Sequence, residues 1–381
     1  MKLTALIIAI SFCYVGASGQ QTSKVTRSTG VAKEYTLPVK NVNLGGEGKH
    51  IIGVPNTNSI SYPVHGASDG TIFVEMLDYS DRSSPFPAVG LFAISEDGKA
   101  TRIERKSPDN MENVFFQDIY ANESVVASLG SARPQKKSPD ERPSREIDYF
   151  ICLSNRDGRF EKLIPLKELK FQPFKIAVLE SGRFFVAGID DLNKTPVLAM
   201  LDSDGQYLRP VTFDNRPIDN SKSLRAIYPH LDANAGAGGA AISNSGFVPF
   251  GNRILFYMPG TKLPVHILGE GGEENSIQLH LPNDYLIETI LPCAKNDTWV
   301  VRAQAVQQFA QMQSEGVISN PQQALFEVNS FDGQALRRLD ISGGVYPGQV
   351  DSAANKKLIC LHQTADMQKG PAVWIAAEQD R

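Results

Sequence analysis

The sequence lacks the features that would place it in several large classes of protein. It has four cysteines and two tryptophans in 381 residues, and its formal net charge is −4. So few cysteines exclude a disulfide-stapled scaffold, and the absence of net positive charge argues against nucleic acid as a partner. No run after residue 19 approaches the roughly 20 consecutive apolar residues that a transmembrane helix needs. We therefore predict no transmembrane span and no nucleic-acid partner.

Three of the cysteines lie in apolar, strand-like runs: Cys152, Cys293 and Cys360. None belongs to a Cys-x-x-Cys pair or to the Cys/His spacing of a zinc site, so these residues predict no metal site. An odd number of thiols leaves at least one unpaired. We expect all three to be small, buried side chains.

The N-terminus has the layout of a secretory signal peptide. Lys2 provides a positive start, residues 3–15 are apolar, and small residues fill positions 16–19. We predict cleavage of residues 1–19 and a secreted or periplasmic mature protein. Cys13 offers an alternative, a membrane-anchored lipoprotein. We rank it second because Phe12 is bulky, whereas a lipid-attachment site has a small residue before the cysteine. Residues 20–33 are expected to be a flexible N-terminal segment, followed by one domain over residues 34–381.

That domain repeats a unit of four short strands. With 31 glycines, 23 prolines and 41% hydrophobic residues, the composition favours many strands joined by turns. In residues 171–213 the strands IAVL, RFFVAGI, PVLAML and QYLRPV are separated by the turns ESGR and DSDG and by a loop. The third and fourth strands recur around turn glycines, which are Gly98, Gly158, Gly205 and Gly333, with a degenerate copy near Gly272.

Six copies of the second strand can be counted, so the repeat predicts a six-bladed β-propeller with four-stranded antiparallel blades. The last unit ends at strand three. Residues 34–39, EYTLPV, resemble the fourth strand QYLRPV. We therefore predict that this N-terminal strand closes the ring by pairing with residues 372–377 in the last blade.

The unit PFKIAVLESGRFFVAGIDDLNKTPVLAMLDSDGQYLRPV resembles an NHL-type repeat, a blade found in scaffolds, peptide-processing lyases and lactonase-like six-bladed propellers. The resemblance implies a fold for most of the mature chain. It does not imply a reaction, because the Asn-His-Leu signature and the catalytic residues of the group have no match here.

Loop lengths predict where a partner would bind. The turns between strands one and two and between strands three and four are short, whereas the other connections, on the opposite face, include residues 78–88, 131–146, 213–251 and 303–323. Binding residues concentrate on long loops held by a rigid scaffold. We predict a protein or small-molecule ligand on this face, with Tyr228, His230 and Phe309 as anchors. Phe309 belongs to a predicted short amphipathic helix that ends at Gly316.

A second hypothesis places chemistry in the central channel. The first strands of the blades would bring four polar residues near the axis, which are His65, Asp118, Glu288 and Asp351. Convergent carboxylates with a histidine could assemble the metal site of a lactonase-like hydrolase. Channels of propellers are also lined by solvated polar residues, so we favour a non-catalytic binding or scaffolding protein. No pattern in the sequence identifies a cofactor or a metal.

Overall fold

The computed structural model describes residues 34–37, 39–43, 52–53, 64–78, 88–135, 146–167, 169–190, 192, 195–212, 245–260, 264–293, 297–305, 322–341, 350–354, 357–363 and 371–377. All the regular secondary structure in these ranges is β-strand. Among the same residues, no helix is long and apolar enough to cross a membrane.

The strands are short, as the frequent turn residues predict. The first thirteen are β1 Glu34–Leu37, β2 Val39–Asn43, β3 Ile52–Gly53, β4 Val64–Gly66, β5 Ile72–Asp78, β6 Ala88–Ile94, β7 Ala100–Ile103, β8 Met111–Ala121, β9 Val125–Pro134, β10 Asp148–Asn155, β11 Phe160–Pro165, β12 Phe171–Val178 and β13 Phe184–Asp190. The next thirteen are β14 Pro196–Leu201, β15 Tyr207–Pro210, β16 Gly246–Phe250, β17 Arg253–Tyr257, β18 Val265–Gly269, β19 Gly272–Ile277, β20 Tyr285–Leu291, β21 Thr298–Ala305, β22 Gln323–Asn329, β23 Ala335–Ile341, β24 Val350–Ala354, β25 Lys357–Gln363 and β26 Pro371–Ala377.

These strands form six sheets in the described part of the chain. Four sheets have four strands each: β8 to β11, β12 to β15, β16 to β19, and β24 to β26 with β2. Two sheets have five strands: β4 to β7 with β3, and β20 to β23 with β1. The prediction of an all-β propeller with four-stranded antiparallel blades is confirmed.

The first strand of each sheet contacts the first strand of the next. β4 contacts β8, β8 contacts β12, β12 contacts β16, β16 contacts β20, β20 contacts β24, and β24 contacts β4. Each first strand runs toward a short turn, and we call the side with these turns the turn face. The opposite side, where first and third strands begin, is the loop face.

Glycine turns on the turn face pack each sheet against the one before it. Gly158 has a φ of 90°, and a Cβ built on it would lie 2.3 Å from the carbonyl oxygen of Arg102 in the preceding sheet. Gly333 repeats the arrangement with a φ of 72° and a distance of 2.1 Å to the oxygen of Gln278. The left-handed backbone and the close approach both require glycine. The Asp-Gly turns thus join sheets as well as strands.

The N-terminal strand departs from the predicted pairing. β2 pairs antiparallel with β26, from Val39 opposite Ala376 to Asn43 opposite Ala372. β1, however, pairs in parallel with β23 in the neighbouring sheet. The prediction that residues 34–39 all join the C-terminal strand is therefore wrong for residues 34–37. Pro38 separates the two strands in the sequence, and proline has no N–H to donate to a continuous ladder.

The last sheet packs against the first. Ile359 and Ala354 lie in one apolar cluster with Ile72 and Val74, and all four side chains are almost fully buried. The Ser352 hydroxyl donates a buried hydrogen bond of 2.8 Å to a carbonyl oxygen at the turn after β4.

Several predicted loop boundaries are wrong because strands extend into them. Residues 131–134 belong to β9, residues 246–250 to β16, and residues 303–305 to β21. The remaining long connections, and with them the predicted helix around Phe309, lie outside the described residues. Cys152 and Cys360 are buried, as predicted, and Cys293 is partly buried; none of the three forms a disulfide within the described residues.

Candidate functional site

The four predicted channel residues all lie on first strands, and three of these strands contain a β-bulge. His65 lies on β4, Asp118 on β8, Glu288 on β20 and Asp351 on β24. The antiparallel register between first and second strands shifts at Glu288, at Asp351 and immediately before Asp118. A bulge re-aims a side chain and is over-represented beside functional sites.

We call the polar residues on and beside the first strands the axial cluster: His65, Asp118, Lys175, Tyr257, Glu288, Arg302 and Asp351. Asp118 forms the first charged contact of this cluster. Its carboxylate accepts a hydrogen bond of 3.1 Å from the Lys175 ammonium on β12 and one of 3.0 Å from the backbone N–H of Ile176. Register also shifts just before Lys175. Burial raises the pKa of Asp118, and Lys175 opposes that rise. The two residues link the second and third sheets in sequence order through a partly buried ion pair.

The fourth sheet in this order contributes Tyr257, which sequence reasoning missed. Tyr257 is on the second strand, β17, but its ring lies over Gly246 on the first strand, where an added Cβ would be 2.3 Å from the phenol oxygen. The hydroxyl is 2.6 Å from the Thr289 hydroxyl. Burial raises the pKa of Tyr257, with the charges of Lys175 and Arg302 opposing. A glycine facing a tyrosine across two strands is the sequence signal that could have found it.

Arg302 is the second cation of the cluster and was also missed. Its Nε lies 3.4 Å from a carboxylate oxygen of Glu288, and its Nη1 donates to the carbonyl oxygen of Val350 over 2.9 Å. The other Glu288 oxygen accepts a hydrogen bond of 2.6 Å from the Gln323 amide. Arg302 therefore connects the fifth sheet to the first strand of the sixth.

Asp351 lies on β24 and His65 on β4, the first strands of the last and first sheets, and these two strands contact each other. Burial raises the pKa of Asp351 to about 6, opposed by the Leu361 N–H, which donates over 2.9 Å, and by Arg302. Burial lowers the pKa of His65 to about 4. At neutral pH the imidazole is therefore uncharged. Since the Ala121 carbonyl at 3.3 Å can only accept, Nε2 carries the proton and Nδ1 is left as an acceptor.

The axial cluster thus takes one or two polar groups from each sheet and contains two ion pairs between sheets or strands. The cations Lys175 and Arg302 are each bound to a carboxylate. Within the described ranges, no three His, Cys, Asp or Glu side chains come together as a metal-binding group. The four predicted residues are spread around the axis and do not form one ligand set there.

The loop face is the second candidate, although its predicted anchors Tyr228, His230 and Phe309 lie outside the described residues. β8 and β9 have 11 and 10 residues and are the longest strands described, so their hairpin extends at the loop-face end. Near that end Val114, Phe115 and Ile147 are 38%, 50% and 43% exposed. Asn113 has a φ of 53° within the bulge that precedes Phe115.

Groups on the turn face are mostly engaged in contacts between sheets. Arg156 pairs with Asp69, Lys162 lies 2.6 Å from Asp204, and Lys357 lies 3.0 Å from Glu96. Each pair joins turns or strands of two neighbouring sheets. These exposed pairs contribute little energy each, but they occupy charges that would otherwise be available to a partner.

Comparison with known proteins gives no family. No protein-family profile matches the chain, and no curated protein matches its sequence. One similar solved structure is the subtype N11 neuraminidase-like protein of A/flat-faced bat/Peru/033/2010 (H18N11), with 11% identity over 83% of this chain and 98% of that chain, and a TM-score of 0.35. Another is the Neurospora crassa Pan2 WD40 domain, with 10% identity over 91% and 96%, and a TM-score of 0.38.

A third is an exo-β-1,3-galactanase from Phanerochaete chrysosporium, with 10% identity over 78% of this chain and 66% of that chain, and a TM-score of 0.35. TM-scores below 0.5 are too low to relate this chain to any of the three. The fold therefore rests on the sheets themselves, and the NHL type of blade stays a prediction.

Proposed function

We propose that this protein is a binding or scaffolding propeller whose partner, a protein or a small-molecule ligand, docks on the loop face. The observation that carries the proposal is the exposure of three apolar residues, Val114, Phe115 and Ile147, near the loop-face ends of β8 and β10. Exposed aromatic side chains on a rigid strand lose little entropy when a partner covers them. The long connections leave the sheets on the same side, where loops of this length can form the sides of a binding site.

Two further observations support binding over catalysis. In the axial cluster Lys175 pairs with Asp118 and Arg302 with Glu288, and charged side chains of the turn face join neighbouring sheets. A group already held in an ion pair must lose that partner before it can serve a ligand. Among the described residues, Val114, Phe115 and Ile147 are 38%, 50% and 43% exposed.

A matched pair of variants tests the proposal. Phe115→Ser removes an aromatic that is 50% exposed on the loop face, and Phe331→Ser removes one that is 78% exposed on the turn face. Each protein is immobilised and incubated with an extracellular or periplasmic fraction and with a small-metabolite pool. We expect a specific ligand of the wild type to be retained by Phe331→Ser and lost by Phe115→Ser. The reverse pattern would move the binding surface to the turn face.

The alternative is a metal-dependent hydrolase with its site in the central channel. The shifted pKa values of His65 and Asp351 favour it, because such shifts cluster at catalytic sites. Lactone and phosphoester hydrolysis, measured with Ca²⁺, Mn²⁺ or Zn²⁺ and again with a chelator, tests it. Chelator-sensitive turnover that is abolished in Asp351→Asn and kept in Phe115→Ser would replace the binding proposal.

We also propose that the six sheets are the six blades of one ring, closed through β2 in the last blade. The succession of contacts between first strands and the pairing of β2 with β26 support this closure. Export after removal of residues 1–19 completes the proposal and is supported by the tripartite N-terminus. The mass of the mature N-terminus distinguishes a cleaved secreted or periplasmic form from a lipoprotein anchored at Cys13.

A further inference from the structure

One strand of the structure does not belong to the antiparallel meander of its sheet. β1 pairs in parallel with β23, whereas every other pair of described strands is antiparallel. The sheet of β20 to β23 already has its four strands without β1. β1 is therefore an added strand on the outer edge of this sheet, in the arrangement by which peptides bind to sheet edges.

The register of this added strand is matched to the edge that it covers. Glu34 lies opposite Arg338, Tyr35 opposite Leu339, and Leu37 opposite Ile341. The register therefore sets two apolar residues of β1 opposite two apolar residues of β23. Arg338 already pairs with Asp340 at 3.6 Å, so the edge favours a strand with apolar residues at its second and fourth positions.

The contact made by β1 is small. β1 has four residues and, among the described elements, its extensive contact is with β23 alone. It pairs with only the last four residues of β23, a seven-residue strand. A short ladder exposed at the rim exchanges readily, since its stability is far below that of the whole domain.

We propose that the outer edge of β23 is a strand-acceptor site for an extended segment of a partner protein, which β1 occupies in the free protein. The partner segment runs parallel to β23 and has apolar residues at its second and fourth positions. Backbone hydrogen bonds supply affinity, and the positions beside Leu339 and Ile341 supply selectivity. This surface lies at the rim and is separate from the loop face.

A substitution in β1 opens the proposed site. Thr36→Pro removes a backbone N–H from the middle of the added strand, whereas Thr36→Val keeps it and serves as the matched control. The probe is the fluorescein-labelled peptide AKEYTL, which has the sequence of residues 32–37. We expect the peptide to bind Thr36→Pro at least tenfold more tightly than the wild type or Thr36→Val, by fluorescence anisotropy. Equal binding to all three proteins, or binding to none, would overturn the proposal.

A second measurement uses the wild-type protein and so does not depend on how the variant folds. A peptide with benzoylphenylalanine in place of its tyrosine is added in excess and photo-cross-linked, and the adduct is located by mass spectrometry. The proposal requires adducts within residues 335–341 and none at β15, an edge strand of another described sheet. Adducts spread over both edges would refute selectivity, and a β1-exchanged dimer of the protein would identify a second copy, rather than a partner protein, as the occupant.

Discussion

Replacing Gly333 by alanine should destabilise the protein far more than replacing Gly251. Both glycines have positive φ, 72° and 58°, so both variants strain the backbone. Nothing lies within 4 Å of a Cβ built on Gly251, whereas the Cβ on Gly333 would be 2.1 Å from the Gln278 oxygen. The pair of variants therefore separates the cost of the backbone conformation from the cost of forcing two sheets apart.

The magnitudes follow from these contacts. A left-handed alanine costs about 1–2 kcal/mol, part of which is offset by the lower entropy of the unfolded chain. At Gly333, relief of the overlap requires the neighbouring backbone to move by about 1 Å, and overpacking of this kind costs about 1–3 kcal/mol. The movement also strains the 2.8 Å hydrogen bond from the His280 N–H to the Gly333 oxygen, a bond contributing about 1 kcal/mol.

We expect a loss of about 3–5 kcal/mol for Gly333→Ala and about 1 kcal/mol for Gly251→Ala. Urea unfolding at fixed pH gives both values from the midpoint and the slope. Equal losses in the two variants would refute the conclusion that the turn glycines join neighbouring sheets.

Three further predictions concern the junction between the first and last sheets. Gly66→Ala places a Cβ 2.3 Å from the Asp351 oxygen but imposes no left-handed backbone, so its midpoint in urea should fall by the cost of overpacking alone, about 1–3 kcal/mol; an unchanged midpoint would show that β4 and β24 do not touch. The raised pKa of Asp351, about 6, means that the protonated form favours folding: this contribution is complete below pH 4 and is lost as the pH rises to about 6. Asp351→Asn should therefore raise the melting temperature at pH 8 and leave it unchanged at pH 4, and equal effects at both would contradict the burial of the carboxylate. Deleting the last ten residues removes most of β26 and uncovers β2 and β25, so the truncated protein should melt at least ten degrees lower, and a shift of one or two degrees would contradict closure of the last sheet.

The repeat could be predicted from the sequence because its signals are local. Apolar alternation and Asp-Gly turns are sufficient to find most of the strands, and glycines such as Gly98, Gly158 and Gly205 have the positive φ that these turns predict. Local signals could not show that Gly158 and Gly205 contact the preceding sheet. That contact depends on the spacing between sheets, which no single turn encodes.

The axial cluster was found only in part for a related reason. First-strand position identified His65, Asp118, Glu288 and Asp351 as candidates. Lys175 depends on the bulge that precedes it in β12, and Arg302 reaches the cluster from a second strand. β1 was misplaced because the likeness of EYTLPV to QYLRPV gave no reason to divide the segment between two sheets.

The central claim, that a partner binds on the loop face, is tested most directly by amide hydrogen exchange. The ligand retained by the wild type is added to the purified protein, and exchange is compared residue by residue with and without it. The proposal predicts slower exchange for residues 111–116 and 146–148, with no change in the turns at Gly158, Gly205 and Gly333. Protection confined to those turns, with residues 111–116 unaffected, would contradict it.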